Sequence, residues 1–256
     1  MASHTSKSTQ DPRAQRLGLE RNGKRVRVVA GGKTIADSLA TMLVLEHGHM
    51  PVYYFPRADV RMDLLEKSEQ RSRCPLKGEA SYWTVNVAGR RLENAVWSYE
   101  QPLDPAAPLT EFIAFYWDKI DHWFEEDEEV FGHPRDPNHR IDVRPSSRVV
   151  RVLFSDQQIA YSRRAMFLFE TGLPVRYYIP PQDVLASALT ASPTRTTCPY
   201  KGQASYYSLT GGGQIAEDAV WSYREPLPEC PRIREYLCFD PRKVQRIEVE
   251  GEPGAM

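Results

Sequence analysis

The chain has 256 residues, of which 41% are hydrophobic and 11% aromatic, so a buried core is expected and wholesale disorder is excluded. Its 33 basic and 34 acidic residues leave a formal charge of −1, which argues against a general nucleic-acid-binding protein, because such proteins usually carry a basic excess. No apolar stretch approaches the roughly 20 residues of a membrane-spanning helix, so we expect no membrane partner.

The N-terminal segment and the cysteines both predict a cytoplasmic protein. Residues 1–20 are polar and lack the apolar core of a signal peptide, which predicts a disordered tail and no export. No two cysteines form a CxxC pair, and their scatter is unlike a disulfide framework. We therefore expect free thiols in a reducing compartment at all four positions: Cys74, Cys198, Cys230 and Cys238.

The two halves of the chain repeat each other. Shifted by 124 positions, the sequence aligns with itself without a gap from about residue 24 to about residue 120. The strongest matches pair Cys74–Trp83 with Cys198–Tyr207 and Ala95–Tyr99 with Ala219–Tyr223. A period of this length corresponds to a whole domain, which predicts two copies of one domain.

The joint between the copies lies in a segment rich in proline and asparagine. Pro134 and Pro137 favour an irregular, stiff connector, and the acidic run Glu125–Glu129 before it is typical of a solvated surface. The predicted organisation is a tail over 1–20, a first domain over 21–127, a Pro-rich linker over 128–147 and a second domain over 148–251.

Hydrophobic residues within each copy mostly alternate, which is the pattern of strands. Short apolar runs end at Glu46 and Glu170, and a glycine and a second β-rich segment follow each of them, which indicates strand, turn, strand. A short helix is expected to begin at Asp59 and at Asp183, with the aspartate as its cap. The predicted fold class is mainly β, with two homologous small antiparallel domains that each contain one short helix.

Three blocks of residues together resemble a known family. They are Glu46 with Tyr53-Tyr54-Phe55-Pro56, Cys74-Pro-x-Lys-Gly-x-Ala-Ser-Tyr82 and Ala95-Val-Trp-Ser-Tyr99, and each recurs in the second half. The pattern resembles the bacterial and fungal DUF427 family in its tandem form, and the resemblance implies a β-tent-like domain of two sheets. The sequence has no Gly-Ser…Asp-x-Asp signature or paired metal carboxylates, so phosphoryl transfer is not expected.

The Cys-Pro-x-Lys-Gly block brings a thiol and an ammonium close together in sequence. A lysine near Cys74 would favour the thiolate and suit a nucleophile, whereas the alternative is that Cys74 and Cys198 are small buried fillers. Lys77 and Lys201 are either anchors for anionic groups or solvated surface lysines.

Glu46 and Glu170 end apolar strands, where a charged group needs a partner or water. Beside apolar walls, such a glutamate is a candidate general acid or base. The alternative is a strand-end glutamate paired with an arginine, and Arg71 and Arg195 recur in register as the expected partners.

Aromatic residues recur at strand spacing and are either core or the wall of a small-molecule pocket. The predicted ligand-binding set combines them with the recurring charged residues: Tyr54, Arg71, Tyr82, Trp97, Glu170, Tyr178, Arg195, Lys201, Tyr206 and Trp221.

All six histidines lie in the first 139 residues, including His47 and His49 beside Glu46 and His133 and His139 in the linker. Histidine shuttles protons near neutral pH and binds metals, but no spacing here is diagnostic of a metal, and divergence after duplication is the simpler alternative.

Two functions remain open. The first is a small-molecule enzyme of unassigned reaction, hydrolase- or lyase-like and without a cofactor, whose candidate catalytic residues are Glu46, Cys74, Lys77, His133 and His139. The second is a non-catalytic ligand-binding or assembly module built by domain duplication. Either protein is expected as a monomer or a homodimer with a small molecule as its partner and no nucleic acid.

Overall fold

A computed structural model describes residues 17–252. The chain divides into two compact units, Met1–Asp136 and Pro137–Met256. Both units are mainly β, and each combines a seven-stranded antiparallel sheet with a smaller sheet, which confirms the predicted fold class of two repeated β domains.

The strands of the first unit are β1 Leu17–Arg21, β2 Val26–Ala30, β3 Lys33–Ser38, β4 Met42–Glu46, β5 Val52–Pro56, β6 Leu65–Cys74, β7 Gly78–Val87, β8 Arg90–Ser98, β9 Phe112–Phe115, β10 His122–Glu125 and β11 Glu128–Val130. The large sheet has the order β1-β4-β5-β9-β8-β7-β6, and the small sheet has the order β11-β10-β2-β3. The long hairpin of β6 and β7 therefore lies at one edge of the large sheet.

The second unit repeats this order with β12 Ile141–Pro145, β13 Val150–Phe154, β14 Gln157–Ser162, β15 Met166–Glu170, β16 Arg176–Ile179, β17 Leu189–Cys198, β18 Gly202–Gly211, β19 Gln214–Tyr223, β20 Leu237–Phe239 and β21 Arg246–Val249. Its large sheet is β12-β15-β16-β20-β19-β18-β17, and its small sheet is β14-β13-β21. Strands at equivalent positions of the two halves thus occupy equivalent places in the two sheets.

The large sheet of the first unit has a core on both of its faces. Along β5, Tyr53 and Phe55 pack into the cluster that faces the small sheet, whereas Tyr54 between them packs into a second cluster on the opposite face. The alternation follows from the pleat, which sends successive side chains to opposite faces. Val44 belongs to the second cluster, so Glu46, two residues further along β4, lies on that same face.

The predicted helices at Asp59 and Asp183 are only three-residue 3₁₀ turns, and neither aspartate caps them. Each aspartate ends its turn and accepts a hydrogen bond from a serine hydroxyl, Ser38 to Asp59 at 2.6 Å and Ser162 to Asp183 at 2.7 Å. The capping prediction is wrong because the preceding proline starts the turn, so the carboxylate reaches across to the neighbouring strand.

The domain boundaries differ from the predicted ones at two places. The first unit begins its regular structure at Leu17, which is 8% exposed, because this residue packs into the second core cluster while β1 pairs with β4. The predicted tail therefore ends earlier than residue 20, and residues 1–16 lie outside the described residues. The irregular segment between the units is also shorter than the predicted linker, since β11 and β12 both lie within 128–147.

A tight turn joins β6 to β7 through residues Cys74–Gly78. Gly78 has a φ of +100°, a conformation that residues with a Cβ rarely adopt. The backbone N–H of Leu103, which lies outside the turn, donates to the Lys77 carbonyl oxygen at 3.1 Å and stabilises the turn. The second unit repeats both features at Gly202 and Leu227.

No helix within residues 17–252 is long and apolar enough to cross a membrane.

We expect Gly78→Ala to lower the free energy of unfolding of the first unit by about 1–3 kcal/mol, because a Cβ strains the left-handed backbone of the turn. Gly23→Ala is the matched control, since no atom lies within 4 Å of a Cβ built there. Thermal melting of both variants is the measurement, and equal melting temperatures would contradict the prediction.

We expect Asp183→Asn to lower the free energy of unfolding by about 1–2 kcal/mol at pH 7, because the Arg164 guanidinium, with help from Ser162, holds the pKa of this carboxyl below its usual range. With a lowered pKa, the stabilisation is complete above the unfolded-state pKa of about 3.9 and is lost as the pH falls through the folded-state value. Urea unfolding should therefore show a difference between wild type and variant that shrinks towards about pH 3. The exposed Glu225 provides the control Glu225→Gln, and a difference that stays constant with pH would refute the assignment.

Candidate functional site

A buried ion pair lies on the second face of the large sheet in the first unit. Lys77, in the turn before β7, donates from Nζ to Oε2 of Glu46 at the end of β4, and the two side chains are only 8% and 14% exposed. Removing both charges from water is costly unless they are paired, and here each neutralises the other. Lys77 is therefore not a solvated surface lysine, which was one of its two predicted alternatives. The partner of Glu46 is this lysine and not an arginine.

The predicted pairing of Glu46 with Arg71 is wrong. Arg71 is exposed and donates from Nη1 to the carbonyl oxygens of Ser68 at 2.8 Å and Gln70 at 2.6 Å. The pairing of β6 with β7 shifts register between Lys67 and Arg71, and the arginine satisfies carbonyls that this bulge leaves without a ladder partner. The Arg71 side chain therefore stabilises β6, the strand in which it lies.

Arg195 makes the same contacts in the second unit, with Ser192 at 3.0 Å and Thr194 at 2.6 Å. The two arginines recur because the bulge recurs. Neither lines the pocket of its unit, so their predicted role in ligand binding has no support in the geometry.

Cys74 lies beside the ion pair. Its Sγ is 3.8 Å from Oε1 of Glu46, and the residue is partly exposed rather than a buried filler. The Glu46 carboxylate therefore lies between an ammonium and a thiol, with one oxygen towards each. By contrast, Cys230 and Cys238 are buried, and burial raises the pKa of their thiols to about 11 and about 12. Those two are structural.

The three residues Glu46, Cys74 and Lys77 border a pocket of about 710 Å³ in the first unit. Aromatic residues form much of its wall, among them Tyr54, Tyr82, Trp97, Tyr99 and Tyr116.

Hydrogen bonds and ring contacts hold the aromatic wall in place. The Trp97 indole N–H donates to the Tyr54 hydroxyl at 3.0 Å, and the Trp97 ring lies 4.4 Å from that of Tyr116 between centroids. The Tyr82 hydroxyl shares a hydrogen bond of 2.6 Å with Ser72. A wall fixed in this way offers flat apolar surface to a ligand, with few polar groups.

Three tyrosines of the wall, Tyr54, Tyr99 and Tyr116, are neutral at physiological pH. Burial raises the pKa of Tyr116 to about 12 and moves the pKa of Tyr54 and Tyr99 still further above their usual value. These three tyrosines therefore supply hydroxyl groups but no negative charge, and charge in the pocket comes from ionisable groups such as Glu46 and Lys77.

The histidines are distributed between the two units. His133 lines the pocket of the first unit, with Nδ1 2.7 Å from the Pro134 carbonyl oxygen. His49 lies 4.0 Å from Glu46 but is 69% exposed, whereas His139 belongs to the second unit. No cluster of three or more metal-ligating side chains occurs within residues 17–252, and His4 lies outside that range.

The second unit rebuilds the ion pair and surrounds it differently. Lys201 Nζ lies 2.6 Å from both carboxylate oxygens of Glu170, and the Trp221 indole N–H donates to the Tyr178 hydroxyl at 3.2 Å. His139 adds a further contact, with Nε2 3.0 Å from Glu170 Oε1. The pocket here measures about 460 Å³, and Tyr206 also lines it.

Sequence reasoning missed Tyr116 and Trp117, which line the pocket of the first unit. It selected aromatics that recur in both halves, and the equivalent positions in the second half hold Asp240 and Pro241. The aromatic run Phe115–Trp117 was the available signal.

Comparison with known proteins identifies one family. The sequence profile described as "Domain of unknown function (DUF427)" matches residues 18–126 and again residues 142–250. The second match begins 124 positions after the first, which is the period of the internal repeat. No curated protein matches the chain. Together the two matches span most of the sequence, so the chain belongs to the DUF427 family and contains two copies of its domain.

Proposed function

We propose that the first copy is a cytoplasmic small-molecule enzyme that uses its own side chains for acid–base or nucleophilic chemistry of a hydrolase or lyase type. The observation that carries the proposal is the position of the Glu46 carboxylate between the Lys77 ammonium and the Cys74 thiol, at the border of a 710 Å³ aromatic pocket.

The geometry supports a role for each of the three residues. Glu46 accepts a proton from the Cys74 thiol or from a bound substrate or water, and Lys77 supplies the positive charge that stabilises an anion formed beside it. The pair is largely removed from water, which strengthens electrostatic interactions at this position. Cys74 is partly exposed and lines the pocket, so its sulfur is reachable by a substrate.

The walls favour a substrate with a flat, uncharged body. Trp97 and Tyr116 offer ring surface and buried tyrosines offer neutral hydroxyl groups, so a planar apolar body gains contact area against these rings. His133 lines the same pocket and is a candidate proton shuttle.

The first copy is the better candidate for catalysis. In the second copy, Glu170 is already bound by Lys201 through both oxygens and by His139, whose ring stacks on Tyr200 at 4.2 Å. Within the described residues, Cys198 donates no hydrogen bond to Glu170, so the thiol–carboxylate contact is confined to Cys74 and Glu46.

A non-catalytic ligand-binding module is the second candidate. The observation in its favour is that the Lys–Glu pair and the Trp–Tyr hydrogen bond occur in both copies, although only one copy joins a thiol to the carboxylate. A binding module predicts that a ligand raises the melting temperature and is recovered unchanged.

We expect iodoacetamide to alkylate Cys74 of the native protein first, while Cys230 and Cys238 react only after unfolding, because these two are buried. Glu46→Gln should slow the reaction of Cys74 at pH 7 by ~10-fold or more, since it removes the group that accepts the thiol proton. Peptide mass spectrometry measures each site separately. Glu170→Gln is the matched control and should leave the rate at Cys74 unchanged, and equal effects of the two substitutions would contradict the role of Glu46.

We expect turnover of a neutral aromatic ester or amide, found by screening a panel of such compounds, to fall ~100-fold or more in kcat/KM on Glu46→Gln. A single substitution leaves a buried lysine without its partner and costs about 3–5 kcal/mol of stability. The double variant Glu46→Leu with Lys77→Met removes both charges, so it should fold and yet be inactive. The same pair of substitutions at Glu170 and Lys201 should preserve turnover, and an active first-copy double variant would end the proposal.

A further inference from the structure

The pocket of the second copy differs from that of the first in its charge, although both share the same sheet positions. At the places held by Val52, Tyr116 and Asp118 in the first copy, the second copy has Arg176, Asp240 and Arg242. Four cationic residues and three carboxylates line the second pocket, whereas the first pocket has two of each. The residues that line the second pocket therefore carry one positive charge in excess.

Three of the four cations in the second pocket already have partners. Lys201 is paired with Glu170, and Arg242 donates to Asp240 at 2.8 and 3.0 Å. The Arg242 guanidinium holds the pKa of Asp240 below its usual range, so this aspartate stays ionised and paired. Lys243 donates to the carbonyl oxygens of Glu217 and Asp218 at 2.8 and 3.3 Å.

Arg176 is the remaining cation. Within residues 17–252, no carboxylate lies within ion-pair distance of its guanidinium, which instead lies 5.7 Å from the centroid of the Trp221 ring. An arginine over an indole ring is held in place by the ring and keeps N–H groups at its edge for an acceptor. The residue is partly buried, so a ligand there would meet a charge that is only partly solvated.

We propose that the pocket of the second copy binds a small organic monocarboxylate, with the carboxylate on Arg176 and a flat apolar body along Trp221 and Tyr206. A carboxylate matches the paired N–H groups of a guanidinium in a bidentate hydrogen bond. Its single negative charge equals the one excess positive charge of the lining, whereas a phosphate monoester carries about −1.5 to −2 at pH 7. This site is separate from the chemistry proposed for the first copy and stands or falls independently of it.

The test is a titration of the full-length chain labelled with 5-fluorotryptophan, followed by ¹⁹F NMR. The chain has five tryptophans, and Trp221 is the one that lies in the second half, so Trp221→Phe assigns its resonance. The probes are benzoate, its neutral isostere benzamide and inorganic phosphate. We expect benzoate to shift the Trp221 resonance in a saturable way and to leave Trp97 unshifted, while benzamide and phosphate bind ~10-fold more weakly or worse.

Arg176→Val should weaken benzoate binding ~10-fold or more. Valine holds the equivalent position in the first copy, so the fold accepts it there. The exposed Arg224, which does not line the pocket, gives the control Arg224→Val with the same change in charge and no expected effect. Three results would overturn the proposal. The first is no shift of the Trp221 resonance at ~20 mM benzoate, which is well above the millimolar affinity of a weak fragment. The others are benzamide or phosphate binding as tightly as benzoate, and unchanged benzoate binding in Arg176→Val.

Discussion

The buried contact between Lys77 and Glu46 is the constraint around which the rest of each domain is arranged. Two opposite charges that leave water together must meet closely, and this requires the end of β4 and the turn between β6 and β7 to lie on the same face of the sheet. The turn reaches that position through the left-handed backbone of Gly78 and the hydrogen bond from Leu103. The second unit repeats the whole arrangement at Glu170 and Lys201.

Because the pair is neutral as a whole, the walls around it are free to differ between the copies. In the first copy, Tyr116 packs on Trp97 and the pocket is largely apolar. In the second copy, Arg176 lies over Trp221, and Asp240 takes the place of Tyr116. Duplication thus retained one charged pair and produced two different pockets, and the two proposals assign a different ligand to each.

Much of the fold could be predicted from the sequence because the relevant signals are local. Alternating apolar residues indicated strands, and self-alignment revealed the two domains, whose period the family matches share. The helix starts at Asp59 and Asp183 were wrong, since an aspartate near a proline also fits a 3₁₀ turn whose carboxylate binds a neighbouring strand. The prediction that Arg71 pairs with Glu46 was wrong for a related reason. Recurrence of a residue in both halves indicates a shared role but does not show which residues are in contact.

The sequence by itself determined that this protein is a duplicated β domain, and it selected the residue types of the site through their recurrence. Which of them meet was decided by the tertiary structure, since the sheet order brings β4 near a turn 31 positions away in the chain. Burial likewise separates the partly exposed Cys74 from the buried Cys230 and Cys238. Strand order and burial arise from the packing of distant segments, and no local pattern of residues encodes either of them.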